Sequence, residues 1–302
     1  MRTVREWKLA RRTLPIGERT LVMGIINLTP DSFSKDGLKS SLGRAWEHAE
    51  QMIQNGVDII DIGGESTRPG ADAISSEAEI RRVAPFLDFL VRYCNAFGKG
   101  VRGIPFSIDT TKSAVARVAI NAGVDIINDI SGLRFDPAIA DVAAHTKAGL
   151  ILMHSRGTFE TMHKLKPVKD IMTEVTKSLR RSIAEALRRG VEREHIMLDP
   201  GIGFSKSQKQ NLELIARFPE LTRELPDFPW LVGTSRKSFI GHLLGGAPVN
   251  KRIHGTMATV AAAVLRGAHV VRVHDVRAAI ETVRVVDAIK NSVASEYTER
   301  ES

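Results

Sequence analysis

The sequence contains a single cysteine, Cys94, so an intrachain disulfide is excluded. No apolar run approaches the roughly 20 residues that a membrane helix needs, which argues against a membrane protein. The opening segment MRTVREWKLARRTLP is basic and contains no apolar signal core. We therefore expect a cytoplasmic protein whose lone thiol is buried or half-buried in a helix.

Aromatic residues make up only 5% of the chain, and no long basic run is interleaved with them. The formal net charge is +8, but basic residues mix with acidic ones along helices, as in RRSIAEALRRGVERE. That pattern favours solvated helix faces over a nucleic-acid site. The sequence also contains neither a GxGxxG turn nor a P-loop, two motifs that mark common nucleotide-binding folds.

Short apolar runs alternate with amphipathic segments along the 302 residues. Eight runs are predicted as strands: 21–27, 58–63, 105–110, 126–131, 150–154, 196–201, 230–235 and 270–275. Strands that alternate with helices indicate a parallel sheet, and eight regular units favour a closed barrel over an open doubly wound sheet. We predict an α/β fold of the (β/α)8 TIM-barrel type, with an N-terminal arm at 1–20, one barrel domain at 21–293 and a frayed tail at 294–302.

Nearly every predicted strand ends in charged or amide side chains. Examples are Asn27, Asp109, Asp199 and the pair Arg272 and His274. The carboxyl ends of barrel strands meet at one mouth, and isolated buried charges are costly there. Eight such ends together predict a polar ligand in a single cup.

Several motifs occur together and in order between about residues 20 and 290. They are MGIINLTPDSFS, DIGGESTRPGA, SIDTTKSAVARVAINAGVDIINDISG, LMHSRGT, LDPGIGF, SRKSFIG and VRVHDV. In these motifs the chain resembles the dihydropteroate synthase family of pterin-binding TIM barrels. The resemblance implies condensation of 6-hydroxymethyl-7,8-dihydropterin pyrophosphate with 4-aminobenzoate, with Mg²⁺ as cofactor and with sulfonamides as mimics of the aminobenzoate.

The resemblance assigns the pterin to residues deep in the cup. They are Asp109, Asn128, Asp199, Lys237 and Arg272. A carboxylate such as Asp199 accepts two parallel N–H donors from the pyrimidine edge, and Lys237 donates to the carbonyl side. Asp61 and Asp129 remain open between ligand binding and structural bonding.

The same resemblance assigns pyrophosphate to cations and donors at the rim. They are Asn27, Thr67, Arg68, Arg272 and His274, with Asn27 as the Mg²⁺ ligand. Magnesium prefers oxygen ligands and keeps several waters, so one protein ligand can suffice. We expect a dissociative substitution, in which pyrophosphate leaves before the amine attacks.

Loops after strands one and two are expected to be mobile and to close over the substrates. Gly63 and Gly64 let the chain turn off the second strand. The resemblance assigns aminobenzoate to Phe33, Thr67, Arg68, Pro69, Lys237 and Ser238, and catalytic roles to Asp31, Phe33, Arg68 and Lys237. Ser238 begins a predicted helix, where it either binds the carboxylate or only caps the helix.

Three positions depart from the family's usual pattern: Lys35 in the first loop, Ser155 and Ser205. His154 and Arg156 are interpreted first as loop-structuring residues. The alternatives are a pterin-binding methyltransferase domain acting on methyltetrahydrofolate and a catalytically silent paralogue that binds pterin. Late apolar helices suggest a homodimer, and no nucleic-acid or membrane partner is expected.

Overall fold

The computed structural model describes residues 3–29, 38–67, 71–96, 103–162 and 164–299. Within these ranges, the side chains of 38–41, 91, 93–96 and 293–299 are left out of the description. The described residues form an eight-stranded parallel sheet, a separate two-stranded hairpin and a surrounding layer of helices. All eight predicted strands are present, which confirms the alternating β/α pattern.

The barrel strands follow one another in chain order around the sheet. They are β3 (Leu21–Asn27), β4 (Ile59–Gly63), β5 (Phe106–Asp109), β6 (Ile126–Asp129), β7 (Gly149–Met153), β8 (Ile196–Asp199), β9 (Leu231–Val232) and β10 (Val270–Val273). β10 pairs with β3, and a single bridge between Leu198 and Trp230 joins β8 to the start of β9. The predicted barrel is therefore confirmed, with its shortest strand at β9.

The described helices lie between successive strands and after the last one. They are α1 (Leu38–Gln54), α2 (Ser76–Ala96), α3 (Ser113–Ala122), α4 (Ala138–Thr146), α5 (Ile171–Arg188), α6 (Gln208–Ala216), α7 (Phe218–Glu224), α8 (Ser238–Leu243), α9 (Ile253–Leu265) and α10 (Val276–Glu299). Two short 3₁₀ turns, Arg193–His195 and Val249–Lys251, complete them. The last helix runs across the expected tail as far as Glu299.

Alternate residues of each strand point into the barrel, because side chains in a strand change sides at every residue. The lower layer is apolar and includes Met23, Ile59, Ile151 and Met197. Two residues further along, the inward positions of β4 and β8 are polar, at Asp61 and Asp199, whereas those of β3 and β7 are still apolar. An apolar layer therefore closes the barrel below the charged mouth.

The N-terminal arm is a β-hairpin that covers the lower end of the barrel. Its strands are β1 (Arg5–Lys8) and β2 (Thr13–Ile16), paired antiparallel. Trp7 is fully buried against the lower apolar layer, and its indole N–H donates to the carbonyl of His195 at 3.0 Å. The arm therefore adds buried apolar side chains to the core of the barrel.

Within the described part of the chain, no helix has both the length and the apolar composition required to cross a membrane.

Candidate active site

The carboxyl ends of the strands bring the predicted polar residues to one mouth. Asn27 lies opposite Gly63 in the β3–β4 register, and Gly63 lies opposite Asp109 in the β4–β5 register. Asp109 is in turn the partner of Asn128, on β6. These positions share the inward face, so three predicted ligand residues stand side by side along the cup wall.

Arg272 connects two carboxylates across the floor of the cup. Its Nε donates to Asp61 Oδ2 at 2.6 Å, and its Nη2 donates to Asp109 Oδ2 at 2.6 Å. Asn128 Nδ2 donates to the same Asp61 oxygen at 3.3 Å. Asp61, which the sequence left open, is therefore an ion-pair partner that holds Arg272 in place.

Burial changes the pKa of Asp109, one of the two carboxyl groups on the floor of the cup. Desolvation raises the pKa of Asp109 to about 7, while the charge of Arg272 opposes that rise and Asp61 adds to it. The same groups raise the pKa of the Arg272 guanidinium, because two neighbouring carboxylates outweigh its own burial. The floor therefore holds one guanidinium between two carboxyl groups, and the pKa of one of them, Asp109, lies near neutral pH.

Asp199 ends β8 and is almost completely buried. Its Oδ1 accepts a hydrogen bond from the Gly201 amide at 2.7 Å. Burial raises the pKa of Asp199 to about 6, while that hydrogen bond and the charge of Lys237 lower it. At neutral pH the group is an ionised acceptor that faces the cup.

Lys237 reaches the cup from the loop after β9, where it occupies the N-cap position of α8. Its Nζ lies 4.0 Å from the centroid of the Phe204 ring, a cation–π contact. Desolvation and the nearby Arg272 lower the pKa of Lys237 to about 8, and Asp199 and Asp109 oppose that change. Phe204 has no role predicted from the sequence, although it belongs to the LDPGIGF motif.

The rim after β9 and β10 is tied together by two contacts. His274 Nδ1 lies 2.9 Å from Ser235 Oγ, which also accepts the His274 amide at 3.1 Å. Arg236 pairs with both oxygens of Asp275, at 3.0 and 2.5 Å. Arg236 itself adopts a left-handed φ of 58°, which a non-glycine residue rarely takes without such support.

Ser238 begins α8, as the sequence predicts, and its side chain is exposed. The interpretation of Ser238 as the N-cap is wrong, because Lys237 has the extended backbone of that position and provides no side-chain cap. The Ser238 hydroxyl therefore lies at the rim, one residue beyond the cap.

Asn27 is half-buried at the end of β3, and its Oδ1 lies 3.6 Å from the point that a Cβ on Gly63 would occupy. In the described ranges, no three His, Cys, Asp or Glu side chains are grouped to hold a metal ion. One amide oxygen, completed by water and phosphate oxygens, does fit Mg²⁺.

Thr67 is half-buried at the end of the described part of the second loop. The start of that loop is fixed by Glu65, which accepts the Ile74 amide at 2.8 Å and lies 2.9 Å from Lys112 Nζ. Lys112 also donates to buried Glu79 at 2.7 Å. The remaining loop predictions lie outside the described residues: Asp31, Phe33, Lys35, Arg68 and Pro69.

Two residues whose roles the sequence left open are buried at strand ends. Asp129 accepts the Ser131 amide at 2.8 Å and the Leu133 amide at 2.6 Å, so it shapes the turn after β6. His154 is buried next to the end of β7, where desolvation lowers the pKa of its imidazole well below the ordinary value.

Comparisons with known proteins match this fold along most of the chain. A family model described as "Pterin binding enzyme" matches residues 23–274. The dihydropteroate synthase of a Synechocystis species is 47% identical over 273 residues, which cover 90% of this chain and 91% of the relative.

Two solved structures are similar along nearly their whole length. A Xanthomonas albilineans dihydropteroate synthase with 4-aminobenzoic acid is 37% identical, with a TM-score of 0.85 and coverage of 95% of this chain and 99% of that one. A Burkholderia cenocepacia dihydropteroate synthase complexed with 7,8-dihydropteroate is 38% identical, with a TM-score of 0.84 and coverage of 97% and 99%.

Proposed function

The chain belongs to the dihydropteroate synthase family of pterin-binding enzymes, and on that premise we propose how its residues divide the work of the reaction. The enzyme is a transferase of folate biosynthesis. It joins 6-hydroxymethyl-7,8-dihydropterin pyrophosphate to 4-aminobenzoate and releases 7,8-dihydropteroate and pyrophosphate. The barrel mouth described above is its active site.

The pterin lies flat on the floor of the cup. Asp199 accepts the amino and ring N–H donors of the pyrimidine edge, and Lys237 donates to the carbonyl side. Asp109 and Asn128 contact the ring further along the wall, and Arg272 stacks against its face. The support for this arrangement is that Arg272 and Asp109 are ion-paired on the inward face, close enough to Lys237 for their charges to shift its pKa.

Pyrophosphate lies at the rim, next to Arg272 and His274, with Thr67 and Arg68 of the second loop. Asn27 provides an oxygen ligand for Mg²⁺, which neutralises the charge of the departing pyrophosphate when bound. Arg272 lies on β10, and His274 is the first residue after that strand, two positions further along the chain. The contact between His274 Nδ1 and Ser235 Oγ holds the His274 ring at the end of the strand.

Aminobenzoate lies across the mouth, between the second loop and the start of α8. The exposed Ser238 hydroxyl donates to its carboxylate, and Lys237 lies between the two substrates. Phe33, Pro69, Thr67 and Arg68 shape the ring site, and Asp31 works with Phe33 on the first loop. The family resemblance supports these loop assignments.

We infer a dissociative substitution. The C–O bond to pyrophosphate breaks with its electron pair on oxygen, and the electron-rich dihydropterin stabilises the resulting cation. The lone pair of the aminobenzoate nitrogen then forms the C–N bond, after which that nitrogen loses a proton. The side chains act by positioning and by electrostatic stabilisation.

Positional isotope exchange tests this path. With ¹⁸O in the bridging position and no aminobenzoate, we expect the label to scramble into non-bridging positions of recovered substrate. Scrambling should require both enzyme and Mg²⁺, so reactions without either one are the controls. Complete retention of the bridging label, in an enzyme preparation that forms product once aminobenzoate is added, would count against a free cation.

The observation that carries the proposal is the convergence of Asp109, Asn128, Asp199 and Arg272 on one inward face. Its test is a coupled assay with both substrates and Mg²⁺, comparing Asp199→Asn and Lys237→Ala with the parent. Each change removes a charged partner of the pterin. We expect kcat/KM to fall roughly 30- to 700-fold, which corresponds to a loss of about 2–4 kcal/mol of transition-state binding. Exposed Lys209→Met is the matched control and should stay within twofold of the parent. Parental activity in both site variants would reject the assignment.

We also propose a cytoplasmic homodimer. Apolar side chains are exposed on the last two helices, at Leu265 (54%), Val285 (61%) and Ile289 (56%). Exposed apolar groups at helical spacing on packed neighbouring helices suit a symmetric contact. The single cysteine and the sequence composition favour the cytoplasm.

A further inference from the structure

Lys206 lies outside the substrate cup, in the loop that follows β8, and its amine is surrounded by backbone carbonyls. Its Nζ donates to the carbonyls of Gly201 at 2.7 Å, Phe204 at 2.9 Å and His154 at 3.4 Å. A protonated amine has three N–H bonds, so each donor has one acceptor. Two of these carbonyls belong to the loop itself, and the third belongs to the end of β7.

That loop carries two groups that face the pterin floor. The Gly201 amide donates to Asp199 Oδ1 at 2.7 Å, and the Phe204 ring lies under Lys237. Gly203 lies between them with a φ of 86°, and a Cβ there would come within 2.8 Å of Lys237 Cδ. A small shift of the loop would therefore move an acceptor and a donor of the pterin together.

At Gly201 the loop backbone packs directly against the backbone at the end of β7. A Cβ on Gly201 would lie 1.9 Å from the His154 carbonyl oxygen, so only glycine fits. Ser205 adopts a left-handed φ of 54°, and its hydroxyl donates to the Arg156 carbonyl at 2.9 Å and accepts the Arg156 amide at 3.0 Å. This position departs from the family's usual glycine, and the reciprocal pair offsets the strain of its backbone.

The charges that face Lys206 come from several elements. Desolvation lowers the pKa of Lys206 well below its ordinary value, Asp199 and Glu174 oppose that change, and Arg156 and Lys237 add to it. The geometry nevertheless requires the protonated form, because three carbonyl oxygens accept from the amine and only the cation has three N–H donors. No carboxylate hydrogen-bonds to this amine among the described contacts.

We propose that Lys206 is a positioning residue for pterin binding: its charged amine clamps the Gly201–Phe204 turn to the end of β7 and so sets Asp199 and the Phe204–Lys237 pair in register with the pterin. The inference rests on the pterin roles of Asp199 and Lys237 proposed above. Lys206 touches no substrate. Its effect is transmitted through the loop that it holds.

Direct binding of 6-hydroxymethylpterin, followed by fluorescence, tests the role. Lys206→Met keeps the length of the side chain and removes the charge, and we expect its pterin Kd to rise at least tenfold. At saturating pterin pyrophosphate, the KM for aminobenzoate should stay within threefold of the parent. Lys209→Met, an exposed lysine three residues along the chain, is the control and should keep the parental Kd.

Chemical rescue separates a charge requirement from a packing requirement. Lys206→Ala leaves a carbonyl-lined space that suits an alkylammonium ion, so n-propylammonium should lower its pterin Kd at least threefold and n-propanol should not. The rescue experiment also tests the proposal if Lys206→Met does not fold, because the amine can be present while Lys206→Ala is refolded. Equal effects of the amine and the alcohol would overturn the proposal.

A parental pterin Kd in Lys206→Met, even with a lower Tm, would equally overturn the positioning role and leave Lys206 as a stabilising residue. Asp199→Asn in the same assay shows which of the two proposals is wrong. If Asp199→Asn binds pterin as the parent does, the proposed pterin role of Asp199 is wrong. If it weakens binding and Lys206→Met does not, only the role of Lys206 is wrong.

Discussion

At the scale of single residues, the cup keeps charged groups where burial disfavours charge. Desolvation raises the pKa of Asp109 and Asp199 and lowers the pKa of Lys237. Such a site destabilises the protein without ligand and gains when a ligand supplies matching donors and acceptors. The pterin edge supplies that match for Asp199 and Lys237, so function and stability oppose each other here.

Asp199→Asn should therefore stabilise the unliganded protein. Asn keeps an oxygen for the Gly201 amide and removes a buried charge, which should add on the order of 2 kcal/mol to the free energy of unfolding at pH 7. The folded-state pKa of about 6 exceeds the ordinary value of 3.8, so the ionised carboxylate costs stability above that ordinary value. The advantage of Asn should be absent near pH 3.8, grow as pH rises and become complete above about pH 6.

Urea unfolding of parent and variant across that pH range measures the difference. Exposed Asp227→Asn is a suitable control, because its side chain is 68% exposed. An Asn variant that is less stable than the parent at pH 7 would show that the Asp199 charge contributes to folding.

The strand-terminal residues of the site could be predicted from sequence. Asp109, Asp199 and Arg272 end apolar runs, and parallel strands bring such ends together whatever the exact register. Phe204 and Lys206 could not be assigned in this way, because their partners are a side chain from the next loop and carbonyls brought in by the turn. The ion pair of Asp61 with Arg272 likewise depends on contacts across the barrel.

At the scale of elements, the N-terminal hairpin seals the end of the barrel opposite the active site. Trp7, Leu9 and Ile16 belong to the same buried cluster as the lower strand residues. Arg11 donates to the carbonyls of Val124 at 2.9 Å and Ile120 at 2.9 Å, which binds the hairpin to the chain around β6. The sequence predicted an arm, but a hairpin of two four-residue strands has too weak a pattern to be recognised.

Trp7→Ala should destabilise the protein without altering the chemistry. Removing this buried ring should cost about 3–5 kcal/mol and lower the Tm by on the order of 10 °C. At 25 °C, kcat/KM should remain within twofold of the parent, because the ring packs at the far end of the barrel. Calorimetry and the coupled assay together check this.

Lys8→Ala is the matched control from the same strand. Its ion pair with Glu194 joins two side chains that are 47% and 40% exposed to solvent, which screens their charges, so Lys8→Ala should leave the Tm close to that of the parent. Loss of activity in Trp7→Ala at an unchanged Tm would contradict the view that the hairpin end of the barrel provides stability and the opposite end provides catalysis.

At the scale of the whole molecule, the barrel separates stability from reactivity. The lower layer and the hairpin are apolar, whereas the upper ends carry the charged cup. The eight-stranded order was predictable because each strand is followed by a helix in a regular repeat. The association state is encoded less directly, since an exposed apolar side chain by itself does not name its partner.

Val285→Asp combined with Ile289→Asp should separate the proposed dimer. The two residues are one helical turn apart on α10, and a carboxylate buried at each would weaken association by on the order of 100-fold or more. Light scattering after size exclusion should show half the parental mass at micromolar concentration. Phe89→Asp, an exposed apolar position on α2 (48%), is the control and should leave the mass unchanged. A monomeric parent would end the proposal.

The strand β9 has only two residues, and a single Leu198–Trp230 bridge joins its start to β8, so this part of the barrel wall has few backbone pairings. The segment that bears Lys237 follows directly after it. Because few backbone pairings constrain it, this sector of the wall can tolerate insertions or altered spacing while the other strands keep their alignment.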